Sequence, residues 1–136
     1  MIYEKRLTIP ANTPPEAPAW TILEAHPGIL RRVEITFPPG PAGLAHLIIG
    51  YWERILYPTN PDSDFAGDDV QLIFDEDFEI IDPPYEFVLI GWNFDDTYPH
   101  TVTVRMQILP KDRDLKEFLA GAILGRIPAP VSVEGL

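Results

Sequence analysis

The sequence predicts an all-β fold: an antiparallel β-sandwich of about eight strands, jelly-roll-like, with one short C-terminal helix. Two observations carry this prediction. Short runs of alternating apolar and polar residues recur along the chain with proline and glycine between them, as in β-sandwiches. The 136 residues also include 16 prolines against 9 glycines, and proline is excluded from helix interiors and central strands. The elements must therefore be short and joined by rigid turns.

The first half of the chain contains four segments with strand character. They are Tyr3–Ile9, Trp20–Ala25, Ile29–Phe37 and Leu44–Tyr57. In the third segment Val33 and Ile35 point to one face and Arg32 and Glu34 to the other, as expected when one face of a sheet is solvated. The fourth is apolar on both faces with Gly50 in its middle, so it is either a pair of central strands or one long strand.

The second half of the chain predicts two hairpins. Val70–Phe74 and Phe78–Ile81 would pair across an acidic turn at residues 75–77. Tyr85–Trp92 and Thr101–Leu109 would pair across a second acidic turn that follows Trp92. Strands bounded by turn residues in this way are typical of antiparallel sheets.

The spacing of apolar residues changes from two to helical near the C-terminus. Asp114 can cap a helix and Gly125 can terminate it, which predicts a helix over residues 114–124. The chain is thus interpreted as one domain, residues 1–126, followed by an extended tail, residues 127–136. This segment carries more apolar surface than an edge helix should leave in water. It is predicted to meet another subunit through Leu115, Phe118, Leu119, Ile123 and Ile127.

Charge and composition exclude several classes of function. The net charge of −11 repels phosphate backbones and anionic lipid, so no nucleic-acid or membrane partner is expected. The chain contains no cysteine, which rules out disulfides, thiolate metal sites and cysteine nucleophiles. Residues 1–6 lack the pattern of a signal peptide, and no apolar run is long enough to span a bilayer. We therefore expect a soluble protein.

One acidic loop offers oxygen ligands of the kind that calcium prefers. Its candidate metal ligands are Asp62, Asp64, Asp68 and Asp69. The loop departs from the EF-hand pattern, because Phe65 stands at the position of the glycine and Gln71 at that of the bidentate glutamate. Two interpretations stay open: a calcium site of the kind found on β-sandwich loops, or a solvated loop whose side chains make local turns.

Motifs for catalysis are absent from the sequence. Glycosidase chemistry needs two carboxyl groups converging across a cleft, one of them with a raised pKa, whereas the paired carboxylates here fall on predicted turns. Only two serines occur, Ser63 and Ser132, and neither lies in a nucleophile motif. We therefore predict no enzymatic activity and no cofactor.

His100 follows a turn that begins at Trp92 and Asn93. The segment Trp92–Val104 resembles the first copper-ligand strand of cupredoxins, where an asparagine-rich turn leads to a ligand histidine. A blue-copper site also needs a cysteine thiolate, and its absence excludes type 1 copper. The alternatives for His100 are another metal site or a histidine at the rim of the core, hydrogen-bonded to a turn carboxylate such as Asp95 or Asp96.

A wider pattern of corners and turns runs through residues 30–105. It consists of Phe37–Gly43, Tyr57–Asp62, Ala66–Asp69, Pro83–Tyr85 and Trp92–Val104. In this pattern the chain resembles small all-β structural proteins of phage-type virions. The resemblance implies a capsid-associated or other assembly role in a virion or the cytoplasm, with copies of itself or other structural subunits as partners. The alternatives are a ligand-binding module, for carbohydrate or calcium, and a cupredoxin-like metalloprotein.

Overall fold

The computed structural model describes residues 1–110, which form nine β-strands in two antiparallel sheets. The strands are β1 (Ile2–Ile9), β2 (Ala19–Glu24), β3 (Gly28–Phe37), β4 (Ala45–Tyr51), β5 (Arg54–Tyr57), β6 (Phe65–Ala66), β7 (Val70–Ile80), β8 (Glu86–Asn93) and β9 (His100–Leu109). The prediction of an all-β chain with antiparallel pairing is confirmed for these residues. The predicted helix at 114–124, the tail at 127–136 and the predicted interface residues Leu115, Phe118, Leu119, Ile123 and Ile127 lie outside the described residues.

The chain changes sheet at most of its connections. The first sheet has the order β1-β9-β3-β7, and the second has the order β2-β8-β4-β5, with the short β6 also paired to β4. The pairing is nested: the first strand pairs with the last, β2 with β8, and β3 with β7. A chain paired in this way is one long antiparallel ribbon that has been rolled up on itself.

The inner faces of both sheets supply one apolar core. β9 alternates strictly, with Val102, Val104 and Met106 fully buried and the residues between them only partly covered. The second sheet supplies Leu47 and Leu89, which are also fully buried. Period-two alternation is the geometric reason: successive side chains of a strand point to opposite faces, so one face of each strand can be buried.

The predicted hairpin at residues 75–77 is wrong, because β7 is one continuous strand of 11 residues. The acidic side chains do not break the strand, since the outward-pointing Asp75 and Asp77 pair with arginines of β3. Asp75 Oδ1 lies 3.3 Å from Arg32 Nε, and Asp77 Oδ1 lies 3.2 Å from Arg31 Nη1. Charge pairing across the strands therefore replaces the turn that the sequence predicts here.

The predicted pairing of Tyr85–Trp92 with Thr101–Leu109 is also wrong. β8 pairs with β2 and β4 in the second sheet, whereas β9 pairs with β1 and β3 in the first. The acidic turn between them is a crossing from one sheet to the other. For Leu44–Tyr57 the sequence allows two alternatives, a pair of strands or one long strand. The structure shows a pair, β4 and β5, with Trp52 and Glu53 between them.

Each edge strand of the first sheet has one charged residue at a position where the alternation of the strand directs side chains toward the core. Lys5 of β1 stands between the half-buried Tyr3 and the buried Leu7, and is itself exposed. Glu76 of β7 stands between Phe74 and Phe78 and is half-buried. Both strands lie at an edge, so a long side chain can leave the core sideways and reach water.

Gly91 lets the two sheets approach each other. A Cβ at this position would lie 2.5 Å from Ile9 Cδ1 of the opposite sheet and 3.0 Å from the backbone oxygen of His46. Ile9 itself is fully buried. Because Gly91 has no side chain, Ile9 of β1 can occupy the space next to β8.

We expect Gly91→Ala to lower the free energy of unfolding by about 1–3 kcal/mol through overpacking. Ile9→Val, which removes the clashing Cδ1, should cost about 0.5–1.5 kcal/mol alone. The double variant should lose less than the sum of the two, because the second change relieves the first. Urea unfolding of the four proteins measures this, and simple additivity would contradict the proposed contact.

Candidate functional site

Three connections meet at the end of the molecule where β9 begins. β1 ends at Ile9 opposite His100, and β4 begins at Ala45 opposite Asn93, the last residue of β8. The loops at residues 10–18, 38–44 and 94–99 are therefore neighbours at this end. The predicted site residues His100 and Asp68 belong to it.

His100 is buried and bonded to a carboxylate. Its Nε2 lies 2.8 Å from Asp95 Oδ2, and only 8% of its surface is exposed. The carboxylate also accepts the backbone N–H groups of Thr97 and Tyr98 through Oδ1. The N–H of Thr97 and the bond to His100 hold the pKa of Asp95 below its usual value. This is the rim role that the sequence analysis offers as the alternative to metal ligation.

Asn93 is the other buried polar residue of this crossing, and it is fully buried. Its Nδ2 donates to the backbone oxygens of Ile9, Pro10 and Tyr98 at 3.0–3.3 Å, while Oδ1 accepts the N–H of Asp95 at 2.9 Å. One amide thus ties the end of β1 to both sides of the crossing. The asparagine of the cupredoxin-like segment has a structural task here.

Asp68 lies against the proline-rich corner that follows β3. Its Oδ1 accepts the backbone N–H groups of Gly40 and Ala42, each at 2.9 Å. These two bonds, Ala42 first, lower the pKa of the carboxyl group, and the nearby His100 acts in the same direction. Asp68 and Asp95 thus lie on two different loops that both meet His100.

The acidic loop does not bring its four candidate ligands together. Asp64 bonds His46 of β4, with Oδ1 2.6 Å from Nδ1, and Asp68 holds the corner. Asp62 and Asp69 adopt left-handed backbone conformations, with φ of 61° and 49°, which aspartate tolerates in turns. In residues 1–110 no group of three or more His, Asp or Glu side chains lies close enough to share a metal ion.

A different surface, which the sequence analysis did not single out, is the most unusual feature of the described residues. The outward-facing side of the second sheet is apolar, and we call it the outer apolar face. It comprises Trp20 and Ile22 of β2, Ile48 of β4, Ile55 of β5, and Val88, Ile90 and Trp92 of β8.

The strand register places these side chains in rows across the sheet. Trp20, Ile90 and Ile48 form one row, since Ile90 is directly opposite both of the others. Directly opposite residues of antiparallel strands point to the same face. Trp20 is 65% exposed and Ile55 is 54% exposed. The face thus leaves large apolar side chains in water on the edge strands β2 and β5, whereas Ile48 of the interior strand β4 is buried, with 9% of its surface exposed.

The outward side of the first sheet has the opposite character. It carries threonines, glutamines and paired charges, for example Arg105 with Glu4 at 2.9 Å. Thr8 and Thr101 bond each other through their hydroxyl groups at 2.9 Å. Its exposed large apolar residues are Ile2 at 71%, Ile73 at 52% and Leu109 at 39%, and they lie on three different strands, β1, β7 and β9. The two sheets therefore share a core but present different surfaces outward.

One histidine lies at the border of the outer apolar face. His46 stacks on Trp92 with ring centroids 5.5 Å apart and planes within 5°, and meets Phe94 edge-on at 5.4 Å. Asp64 bonds its Nδ1 from the side. His46, which the sequence places in an apolar strand, thus belongs to the aromatic border of this face.

A sequence signal for this face exists. Leu44–Tyr57 and Tyr85–Trp92 are apolar at successive positions instead of alternating. Such runs indicate strands that are covered on both faces. The structure places β4 and β8 in the interior of the second sheet and β5 at its edge. The outward side chains of β8 are partly exposed, whereas Ile48 of β4 is buried.

We expect acid to destabilise the protein through Asp68 and Asp95. Their pKa values are lower in the folded state than in the unfolded chain, so their contribution is present above the ordinary aspartate pKa of about 3.9 and is lost as the pH falls through the folded values. Urea midpoints measured at a series of pH values from neutral downward should fall below about pH 4. Asp68→Asn, which can still accept both N–H bonds, should flatten this fall.

The matched control is Asp62→Asn. It removes one negative charge from the same loop without touching Gly40 or Ala42. If both variants change the acid profile equally, the effect is general charge and not the bonded carboxylate.

The wider comparisons give this chain no family. No protein-family model matches it, and no curated protein is similar to it. Among residues 1–110, no helix has the length and hydrophobicity that a membrane crossing requires. Three observations therefore remain as the basis for a function: the fold, the outer apolar face, and the hydrogen-bonded crossing from β8 to β9. We call this crossing, with Asn93, Asp95 and His100, the bonded crossing.

Proposed function

We propose that the protein is a non-enzymatic structural subunit with a jelly-roll fold, which assembles with a second copy of itself through the outer apolar face. The observation that carries the proposal is the contrast between the two outward surfaces. Monomeric proteins rarely expose contiguous apolar patches beyond a few hundred Å², and larger ones mark interaction sites.

The nested strand pairing supports the jelly-roll part of the proposal. A jelly roll is a double Greek key of eight strands in two sheets. The orders β1-β9-β3-β7 and β2-β8-β4-β5 contain eight such strands, and β6 adds only two residues at β4. The resemblance of residues 30–105 to phage-type virion proteins supports placing this subunit in a virion.

The size of the face fits a small interface. Four strands about 4.8 Å apart, with about six residues each at roughly 3.3 Å, span about 20 Å by 20 Å, or about 400 Å² in projection. Projecting side chains such as Trp20 raise the accessible area above this projection. A standard interface buries about 800 Å² per partner, so the projected face supplies about half of one.

The chemistry of the face favours a second copy over a basic partner. Among the described residues, its carboxylates lie at the two ends: Glu24 and Glu86 directly opposite each other at one end, and Asp64 bonded to His46 at the other. A basic protein would find few charges to pair with on this surface, although the chain as a whole carries a charge of −11. A two-fold contact needs only that the same patch be complementary to itself, and sheets stack face to face at about 10 Å.

The carboxylates at the bonded crossing support the non-enzymatic part. A general acid needs a carboxyl group with a raised pKa, and the pKa values of Asp68 and Asp95 are lowered. Among residues 1–110 no nucleophile stands beside the Asp95–His100 pair, because the other side of the His100 ring lies against Gly40. Asp68 and Asp95 are instead hydrogen-bonded to backbone N–H groups of the turns that they hold in place.

We expect the full chain to form a dimer whose fraction rises with concentration, and Ile55→Glu to weaken it at least tenfold. The glutamate would bring an unpaired charge into an apolar contact, and a tenfold change corresponds to about 1.4 kcal/mol. Added salt should strengthen the wild-type dimer, because it screens repulsion between two acidic chains. Sedimentation velocity over a range of concentrations measures all three.

Ile73→Glu is the matched control. It makes the same substitution at the same degree of exposure, 52% against 54%, but on the first sheet, and it should leave the dimer unchanged. A wild-type protein that stays monomeric at every concentration would contradict self-assembly. Equal weakening by the two variants would contradict the choice of face.

A further inference from the structure

A cleft lies at the other end of the molecule, beside the turn between β4 and β5. It has a volume of about 410 Å³ and is lined by Tyr51, Trp52, Arg54, Phe78, Glu79, Ile81 and Asp82. Small-molecule sites are clefts of roughly 300–1,000 Å³, mostly apolar, with a few polar groups at fixed positions. Neither the bonded crossing nor the outer apolar face includes these residues.

Aromatic rings make the floor of the cleft rigid. Tyr51 is buried and meets Phe78 edge-on, with ring centroids 5.1 Å apart, and packs on Phe87 at 5.2 Å. Its hydroxyl group donates to the backbone oxygen of Asp82 at 3.3 Å. The floor therefore fixes the segment after β7 relative to the β4–β5 turn, and the cleft exists before a ligand arrives.

Trp52 stands at the mouth of the cleft in a strained conformation. Its φ is 59°, at the first position of a two-residue hairpin loop where glycine is favoured. A bulky residue in this region is strained, and such strain is concentrated at functional sites. The indole is 54% exposed, so burial does not explain its presence. The ring meets Tyr51 edge-on with centroids 6.4 Å apart, and the rest of the indole is open to a ligand.

Polar groups surround the apolar floor. Arg54 is exposed and makes no ion pair with any residue in the described part of the chain. The carboxylate of Asp82 is on the same rim. The cleft thus offers a guanidinium group, a carboxylate acceptor and an aromatic plane within one small volume.

We propose that this cleft binds a neutral carbohydrate, with one sugar ring stacked on Trp52 and its hydroxyl groups bonded to Arg54 and Asp82. A pyranose has an apolar C–H face and a polar edge, and the cleft has an apolar plane and a polar rim in the same arrangement. Exposed tryptophan and tyrosine rings suit ligands of this kind, because they are apolar bodies at a wet boundary.

Other ligand classes fit the lining less well. Phosphorylated and other anionic ligands would meet the carboxylate of Asp82 beside the single arginine, in a chain of charge −11. A cationic ligand would meet the Arg54 guanidinium beside the aromatic ring. A purely apolar ligand would leave the charged rim without partners. A ligand that is uncharged, partly apolar and rich in hydroxyl groups avoids all three costs.

Titration of the full chain with lactose, cellobiose and N,N′-diacetylchitobiose tests the proposal. The readout is the set of indole N–H signals in a ¹H–¹⁵N spectrum, where each tryptophan gives its own peak. We expect at least one of the three sugars to shift the Trp52 signal saturably while the Trp20 and Trp92 signals stay in place. Saturable movement of another tryptophan alone, or no saturable shift with any of the three, would overturn it.

Trp52→Gly and Arg54→Ala are the decisive variants, followed through the backbone amide signals of residues 51–54 and 78–82. Glycine removes the ring and also relieves the strained φ, so the variant should fold at least as readily as the wild type. We expect each change to weaken sugar binding at least tenfold; binding at wild-type strength in both would contradict this site. Ile55→Glu should keep sugar binding while losing self-association, so this proposal and the assembly proposal fail separately.

Discussion

One constraint governs this molecule: two sheets must bury their inner faces against each other while the chain passes repeatedly from one to the other. Because β1 pairs with β9, β2 with β8 and β3 with β7, nearly every connection is a crossing between the sheets. Crossings leave backbone groups unpaired near the core, and such groups need partners. Asn93 and Asp95 supply them at one end by bonding the chain on both sides of the turn before β9.

The same constraint explains which surfaces are available for binding. The inner faces are buried in the core, and the polar side chains at the end near His100 hydrogen-bond to one another, leaving there a small cleft of about 180 Å³. The larger free surfaces are the two outward faces and the opposite end. The first sheet covers its outward side with charge pairs such as Arg105 and Glu4, whereas the second sheet does not. The outer apolar face and the aromatic cleft are thus the two described surfaces whose chemistry the fold itself leaves unexplained.

The sequence predicts much of the strand pattern because alternation is a local property. Ile29–Phe37 shows it clearly, and β3 lies there with one residue added. The pairing was harder to predict, because it depends on contacts far apart in the chain. From the sequence alone, the acidic triplet at residues 75–77 predicts a turn, because the pairing with Arg31 and Arg32 of β3 is visible only in the structure. Likewise, the turn before His100 predicts a hairpin, because only the structure shows that its flanking strands lie in different sheets.

Site prediction follows the same division. The link between His100 and a turn carboxylate is short-range in sequence and is visible from the segment itself. The outer apolar face joins β2, β4, β5 and β8, which are spread over more than half of the described chain. The cleft depends on Trp52 and Ile81 being neighbours, and on a backbone angle that no residue pattern reveals. Long-range proximity and backbone strain are therefore what a single sequence leaves hidden.

The charges in the inward alternation of the edge strands have a consequence for the form of any assembly. Lys5 and Glu76 stand on the two open edges of the first sheet, where an additional strand could pair with the exposed backbone. A strand added there would trap an ammonium group on one side or a carboxylate on the other against its own side chains, which is unfavourable. Growth of the first sheet by edge pairing, the route to open-ended fibres, is thereby disfavoured at both of its edges.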